Sequence, residues 1–168
     1  MADLTSQERL QPSLLDRITD ERPEDRQESR ERRVMSLRQL RSAVLRDLAW
    51  LLNASSRFDE ADAEEFPHVA RSVIAFGVPD LCGQTRSSLD IGALEAAVRE
   101  AIVRFEPRII PHSLRVTAHG SIDETNRNSL SFEIHGELWA QPVPEPLFLR
   151  TDIDLETGAS RVEDRPNG

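Results

Sequence analysis

Residues 104–111 read RFEPRIIP and mark the point at which the hydrophobic pattern of the chain changes. Upstream, from about Asp90 to Glu106, apolar residues recur at spacings of three and four, which predicts a helix. Pro107 ends that helix, because proline lacks a backbone N–H and disfavours helical geometry in the residue before it. From Ser113 onward apolar and polar residues alternate, which predicts strands. The quoted stretch is therefore predicted to join a helical part of the chain to a sheet.

Three stretches after this junction carry the period-two pattern: SLRVTAHG (113–120), SLSFEIHGELWA (129–140) and LFLRTDIDLE (147–156). Alternation that is apolar on one side only indicates antiparallel strands, with one face on the helices and the other toward water or a partner. The turn-like LETGAS (155–160) predicts a short return strand at Arg161 and Val162. The connector QPVPEP (141–146) is too rich in proline for a tight hairpin and is predicted to be extended.

Further helices are predicted before the junction. A long apolar stripe predicts a helix over about residues 30–53, with Asn53 as its stop. A shorter helix is predicted from Pro67 to about Phe76, followed by a constrained loop, GVPDLCG (77–83). Helices first and strands afterwards indicate an α+β fold, with the N-terminal helices packed on one face of a small C-terminal antiparallel, or mixed, sheet. Residues 30–168 are expected to form one domain of ordinary size.

Residues 1–29 are predicted to form an N-terminal arm with a short docking helix. Its apolar trio of Leu14, Leu15 and Ile18 has the spacing of one helical face, and charged residues of both signs follow it. A helix this short is marginal in water and must dock on something to persist. Two interpretations stay open: the helix folds back on its own domain, or the trio is a detachable anchor for a partner.

Composition excludes several functional classes. The formal net charge is −9, and all 21 basic residues are arginine, without a basic cluster that would favour nucleic-acid binding. No apolar run approaches the roughly 20 residues that span a bilayer, and MADLTSQERLQP (1–12) does not resemble a secretory signal. A single cysteine, Cys82, cannot form an internal disulfide. We therefore expect a cytoplasmic protein.

No enzyme signature emerges from the sequence. A glycosidase needs two carboxylates about 5–10 Å apart, whereas Glu133 and Glu137 share a strand face about 13 Å apart. Arg108 is an unsuitable neighbour for Glu106 as a general acid, because a nearby positive charge favours the ionised carboxylate. The four histidines have no metal-ligand spacing, and we expect no metal, no cofactor and no catalytic residue. A peptidoglycan-cleaving, lysozyme-like hydrolase stays open as an alternative, as does an adaptor in an unrelated assembly.

Glu106, Pro107 and Arg108, which we call the corner, allow two interpretations. The local one is that the glutamate and the arginine pair with each other or cap the helix. The other is that the rigid proline directs both side chains outward, where a carboxylate and a guanidinium suit charge-assisted contacts to another chain. We predict the second, with the corner as a partner-binding site.

The chain as a whole resembles a known family. The runs that carry the resemblance are PSLLDRIT (12–19), ESRERRV (28–34), LRDLAWLLN (45–53), PHVARSVIAFGVPDL (67–81), FEPRI (105–109), NSLSFEIHGELWA (128–140) and DLETG (154–158). Together they are similar to baseplate subunits of the TssE type from the type VI secretion system. These belong to the wedge proteins of contractile-tail phage baseplates, which are lysozyme-like in name only.

The resemblance implies a structural role without catalysis. Such subunits join TssF and TssG in the baseplate wedge, with TssK nearby, and nucleate the TssB–TssC contractile sheath at the cytoplasmic side of the inner membrane. The glutamate–proline–arginine motif is the family's signature, here Glu106, Pro107 and Arg108. We further predict that the strand around Arg150, Asp152 and Asp154 presents an exposed edge, to which a sheath strand could add.

Overall fold

The computed structural model describes residues 13–19, 36–56, 64–82, 89–120, 129–140 and 143–165. The helices within these ranges are α1 (Leu14–Ile18), α2 (Leu37–Leu52), α3 (Pro67–Ala70) and α4 (Ile91–Phe105), with a 3-10 turn at Val73–Ala75. The strands are β1 (Ser55–Ser56), β2 (Val78–Pro79), β3 (Arg115–Gly120), β4 (Ser129–Leu138), β5 (Glu145–Asp154) and β6 (Ser160–Asp164). The predicted α+β class is confirmed.

The ends of α2 and α4 follow from their capping residues. The Ser36 side chain accepts the backbone N–H of Gln39, whose own side chain returns to Ser36, so α2 begins with a capping box. Asn53 ends α2 as predicted, and the start of that predicted helix, residues 30–35, lies outside the described residues. The Asp90 side chain accepts the N–H of Ala93 at the start of α4. The predicted bounds of α4 are thereby confirmed.

The main sheet has the order β3-β4-β5-β6, and every neighbouring pair is antiparallel. The predicted alternation is confirmed: one face is buried among the apolar residues of α2 and α4, and the other carries charged side chains. The predicted return strand at Arg161 and Val162 is longer than expected and spans Ser160–Asp164. The largest fully buried side chains include Phe132, Leu48, Ile102, Ile134 and Leu147.

A two-residue parallel pair, β1 with β2, was not predicted, because both segments were expected to be loops. It forms where the N–H of Val78 donates to the C=O of Ala54 at 2.9 Å. Gly77 makes this approach possible: its φ is +132°, and a Cβ at this position would lie 2.4 Å from the Ala54 oxygen. The pair ties the segment after α2 to the loop that leads toward α4.

Candidate functional site

The corner is held on both sides by backbone hydrogen bonds. On the helical side, the N–H of Glu106 donates to the C=O of Ile102 at 2.8 Å and closes α4. On the sheet side, the N–H of Trp139 donates to the C=O of Arg108 at 2.7 Å, and that of Ile110 donates to Glu137 at 2.8 Å. The segment after Pro107 thus pairs antiparallel with the end of β4. The junction predicted from the sequence is rigid for this reason.

Within the corner, the glutamate and the arginine bind each other. Arg108 Nε donates to Glu106 Oε1 at 2.7 Å and Nη2 donates to Oε2 at 2.5 Å, which is the two-pronged guanidinium–carboxylate geometry. The backbone N–H of Arg108 adds a third contact, 3.2 Å from Oε1. Glu106 is only 3% exposed. The local interpretation therefore describes the contacts of this carboxylate, and a role of the corner in binding a partner stays a prediction.

Sequence reasoning missed a second acid at the corner. Asp47, on α2, accepts a hydrogen bond from Arg108 Nη2 at 2.5 Å across a separation of 61 residues. Arg46, its neighbour in sequence, donates from Nε to Asp47 Oδ1 at 2.9 Å. Nothing in the α2 pattern singles out these two residues, because the contact exists only once α2 and α4 pack together. The corner thus belongs to a network of charges that joins α2 to the end of α4.

This network fixes the charge of Arg108. Burial alone would lower the pKa of its guanidinium, but the hydrogen bonds and the negative charges of Glu106 and Asp47 outweigh burial and raise that pKa above its ordinary value. Arg108 is therefore a permanent cation between two acids. Both oxygens of Glu106 are already occupied, so the arrangement suits a charged joint better than proton transfer to a substrate.

Helix α1 of the arm lies beside the same network. The Ser13 side chain and the Asp16 carboxylate form a capping box that starts α1. Asp16 Oδ1 also lies 2.8 Å from Arg46 Nη2, and Oδ2 lies 4.0 Å from Arg108 Nη1. In this structure the arm helix folds back on its own domain. Whether it also serves as an anchor for a partner stays a prediction.

The predicted docking trio divides between two environments. Leu15 lines a pocket of about 500 Å³ between α1, α2 and the corner. Leu14 and Ile18 are 75% and 72% exposed and lie on the outer side of α1. The pocket has both apolar and polar lining residues, which are Ser13, Leu15, Asp47, Trp50, Leu51, Phe76, Phe105, Glu106, Pro107 and Arg108.

The other predicted partner residues, Arg150, Asp152 and Asp154, lie on the charged face of the sheet. Arg150 Nε donates to Asp152 Oδ1 at 3.2 Å, and the hydroxyl of Ser131 donates to the same oxygen. Asp154 has a local task, because its Oδ1 accepts the N–H groups of Glu156 and Thr157 at 2.8 and 3.1 Å in the turn after β5. The structure thus joins Arg150 to Asp152, whereas Asp154 holds the turn after β5.

The expectation that residues 150–154 form an exposed edge is wrong. β5 pairs with β4 on one side and with β6 on the other, so its backbone groups are used in both directions. The edge strands of this sheet are β3 and β6. The error arose because β6 was predicted to be only two residues long, too short to cover β5. Contacts between these three side chains and a partner are left as a prediction.

The two edges are covered to different degrees. On β3, Glu95 of α4 accepts the N–H of Ala118 at 2.7 Å, and Arg99 donates to the C=O of Leu114 at 3.2 Å. On β6, the Asn53 side chain accepts the N–H of Ser160 at 2.9 Å and donates to its C=O at 3.0 Å. Since outward-facing residues alternate along an antiparallel edge, Val162 is the next position of β6 whose backbone groups point away from β5.

No metal centre is found in the described ranges. His119 and His135 flank Glu133 on the charged face of the sheet, with Nε2 atoms 3.2 and 3.7 Å from Glu133 Oε2. Even so, no group of three or more histidine, cysteine or acidic residues in the described part of the chain has a geometry that could hold a metal ion. The helices described here also include none with the length and apolar character of a membrane span.

Comparison with known proteins identifies the family. The model of the baseplate wedge protein gp25 family matches residues 38–143, which include α2, the corner and β4. The chain belongs to this family. No curated protein and no solved structure matches it.

Membership in the gp25 family assigns the chain a class of function. It is a structural component of a phage-tail-like baseplate, and it assembles with other baseplate subunits. The resemblance noted in the sequence is thereby confirmed at the level of the family. The matched range begins at Arg38 and leaves α1 outside.

Proposed function

We propose that the chain is a TssE-type baseplate subunit of a type VI secretion system, which joins the TssF–TssG wedge and nucleates the TssB–TssC sheath. The observation that carries this proposal is the corner, Glu106, Pro107 and Arg108, within a chain of the gp25 family. Its rigid backbone and its permanently charged arginine suit a joint between subunits. The chain acts in the cytoplasm, in a baseplate at the inner membrane, with TssK as a further neighbour.

The first test is co-purification. The tagged full-length chain, expressed with TssF, TssG and TssK from the same organism, is expected to retain these subunits through size-exclusion chromatography. The matched variants are Arg108→Ala, which removes the guanidinium of the corner, and Arg99→Ala, which removes one from α4. Arg108→Ala is expected to lose the partners more than Arg99→Ala. Recovery of an unrelated complex instead would favour the adaptor alternative.

For the sheath, the open part of β6 supports strand addition. Its position at the sheet edge leaves the backbone N–H and C=O of Val162 without a strand partner among the described residues. A strand of the first sheath ring could pair there and continue the sheet in the order β3-β4-β5-β6. This site replaces residues 150–154 in the proposal, because β6 pairs with β5 from Leu149 to Ile153.

A pair of proline variants tests strand addition. Val162→Pro removes an N–H that points away from β5 and is expected to leave the domain folded while abolishing sheath assembly in cells. Arg161→Pro removes an N–H within the β5–β6 ladder and is expected to destabilise the domain itself. Thermal melting reports on the fold, and fluorescence imaging of tagged sheath reports on assembly. Normal sheaths in the Val162→Pro strain would contradict the proposal.

The hydrolase alternative has a direct test. Purified protein incubated with peptidoglycan is expected to release no soluble fragments, since Glu106 is buried and both of its carboxylate oxygens are bound by Arg108. Release of fragments that disappears in Glu106→Gln would establish the enzyme and refute the structural role of the corner. Release that persists in Glu106→Gln would point to another site or to a contaminant.

A further inference from the structure

Helix α1 forms part of the wall of the pocket beside the corner and is held there through two adjacent residues. Leu15 lines the pocket, and the Asp16 carboxylate faces Arg46 and Arg108, of which Arg108 also lines the pocket. The same carboxylate also forms the capping box with Ser13, so the acid that starts the helix is the acid that docks it. Formation of α1 and its attachment to the corner are therefore coupled through one side chain.

The attachment is incomplete in three respects. Leu14 and Ile18 remain exposed, and Leu15 is itself 37% exposed, so α1 buries little apolar surface. Arg108 Nη1, 4.0 Å from Asp16, and Arg46 Nη2, 2.8 Å from carboxylate oxygens of both Asp16 and Asp47, are buried and lack a well-aligned hydrogen bond to any described residue. Finally, a pocket of about 500 Å³ stays open with α1 in place. A helix of five residues with so few contacts is held weakly.

We propose that α1 is a displaceable latch: it covers the corner and forms one wall of the pocket until a partner segment of the same chemistry replaces it. This inference rests on the proposed function. The chemistry is a short helical turn that offers a leucine to the apolar wall, which includes Trp50 and Phe105, and a carboxylate to Arg46 and Arg108. A better-fitting carboxylate would satisfy the two guanidinium nitrogens that Asp16 leaves without aligned hydrogen bonds.

The test offers the chain its own latch in trans. The probe is a fluorescein-labelled peptide of residues 10–20, LQPSLLDRITD, and binding to the full-length chain is followed by fluorescence anisotropy. In the wild type the tethered α1 competes with the peptide. In Asp16→Asn the attachment of the tethered helix is weakened, so its docking site beside the corner is free more often. The peptide is therefore expected to bind about threefold to tenfold more tightly.

Two controls make the result specific. Glu65→Gln removes the same charge from another exposed position and is expected to bind the peptide like the wild type. A peptide with Asp16→Asn is expected to lose most of its affinity, because it lacks the carboxylate for Arg46 and Arg108. Equal affinity of the wild type and Asp16→Asn for the unmodified peptide would overturn the latch, as would absence of binding to Asp16→Asn.

The peptide test does not depend on the baseplate assignment. If the chain fails to retain TssF and TssG but Asp16→Asn binds the peptide more tightly than the wild type, the latch stands and the proposed function fails. If the partners are retained and the peptide affinities are equal, only the latch fails. When both hold, the latch further predicts that Asp16→Asn retains the wedge partners at lower protein concentration than the wild type does.

Discussion

At the scale of single residues, the decisive feature is a buried carboxylate whose charge is neutralised within the chain. Glu106 is 3% exposed and accepts three N–H groups of Arg108. Removing one partner of a buried ion pair leaves the other charge uncompensated, which costs more than the pair itself contributes. The corner is therefore expected to matter for the stability of the isolated subunit as well as for assembly.

Glu106→Gln tests this expectation. The amide removes the negative charge, and its NH₂ group faces the N–H donors of Arg108, so we expect a loss of about 2–3 kcal/mol in the free energy of unfolding. Asp47 keeps Arg108 partly compensated, which places the loss below that of a fully orphaned buried charge. Urea unfolding of the purified chain gives the value.

The matched control lies on the same helix. Glu100 pairs with Arg104 four residues later and is 67% exposed, so Glu100→Gln is expected to cost less than about 0.5 kcal/mol. Equal effects of the two variants would show that the corner contributes no more than a surface ion pair. The sequence predicted the corner as a pair of charges but could not show that Glu106 is buried, because burial depends on how α2 packs against the end of α4.

At the scale of elements, the sequence predicted the long, strongly periodic segments and missed the short ones. The predicted bounds of α4 and β4 lie close to the observed ones, because a capping residue marks the start of α4 and alternation marks β4 in the sequence itself. β1 and β2 have two residues each, which is too few for any period to be visible. α1 was predicted as a helix, but its docking depends on Asp16, whose partners Arg46 and Arg108 lie on distant parts of the chain.

The acid that holds α1 makes its docking dependent on pH. Burial would raise the pKa of Asp16, but the hydrogen bonds from Ser13 and the positive charge of Arg46 outweigh it and hold that pKa below the ordinary value of 3.8. A depressed pKa gives stabilisation that is present above the ordinary value and is lost as the pH falls through the lowered value. We therefore expect α1 to be released only below about pH 3.8.

Trp50 reports this release, since it lines the pocket with Leu15. In a Trp139→Phe background, which leaves Trp50 as the single tryptophan, acrylamide quenching of its fluorescence is expected to increase as the pH falls below this value. Other charged groups lie around Asp16: the guanidinium groups of Arg46 and Arg108 face it, and the carboxylates of Asp47 and Glu106 belong to the same network. The control is therefore Asp16→Asn in the same background, which should show high quenching already at neutral pH. An identical pH profile in both chains would contradict the assignment of the change to Asp16.

At the scale of the whole molecule, two distant hydrogen-bond pairs connect α2 to β6. Arg41 donates from Nε and Nη2 to the two carboxylate oxygens of Asp164 at 2.6 Å each. Asn53 pairs with both backbone groups of Ser160. The layer arrangement, helices against one face of the sheet, was predictable from the order of patterns along the chain. Which strand forms the open edge of the sheet was not predictable, because this depends on the length of β6.

Asn53 therefore has two structural roles, and substituting this one residue removes both. It caps α2 by donating to the C=O of Ala49 at 2.7 Å, and it covers the edge of β6 at Ser160. Asn53→Ala is expected to lower the free energy of unfolding by about 1–2 kcal/mol, because the two hydrogen bonds to Ser160 are lost together with the cap. It also exposes the N–H and C=O of Ser160 and so lengthens the open edge from Val162 to Ser160.

An open edge of that length favours pairing between copies of the chain. Asn53→Ala is therefore expected to self-associate at concentrations where the wild type sediments as a single species in analytical ultracentrifugation. Adding Val162→Pro to Asn53→Ala interrupts the edge and should restore the wild-type sedimentation, although it cannot restore the lost cap. Self-association that persists in the double variant would show that the contact does not use the edge of β6. Restored sedimentation with the stability still lowered would separate the two tasks of Asn53, since only the edge responds to the proline.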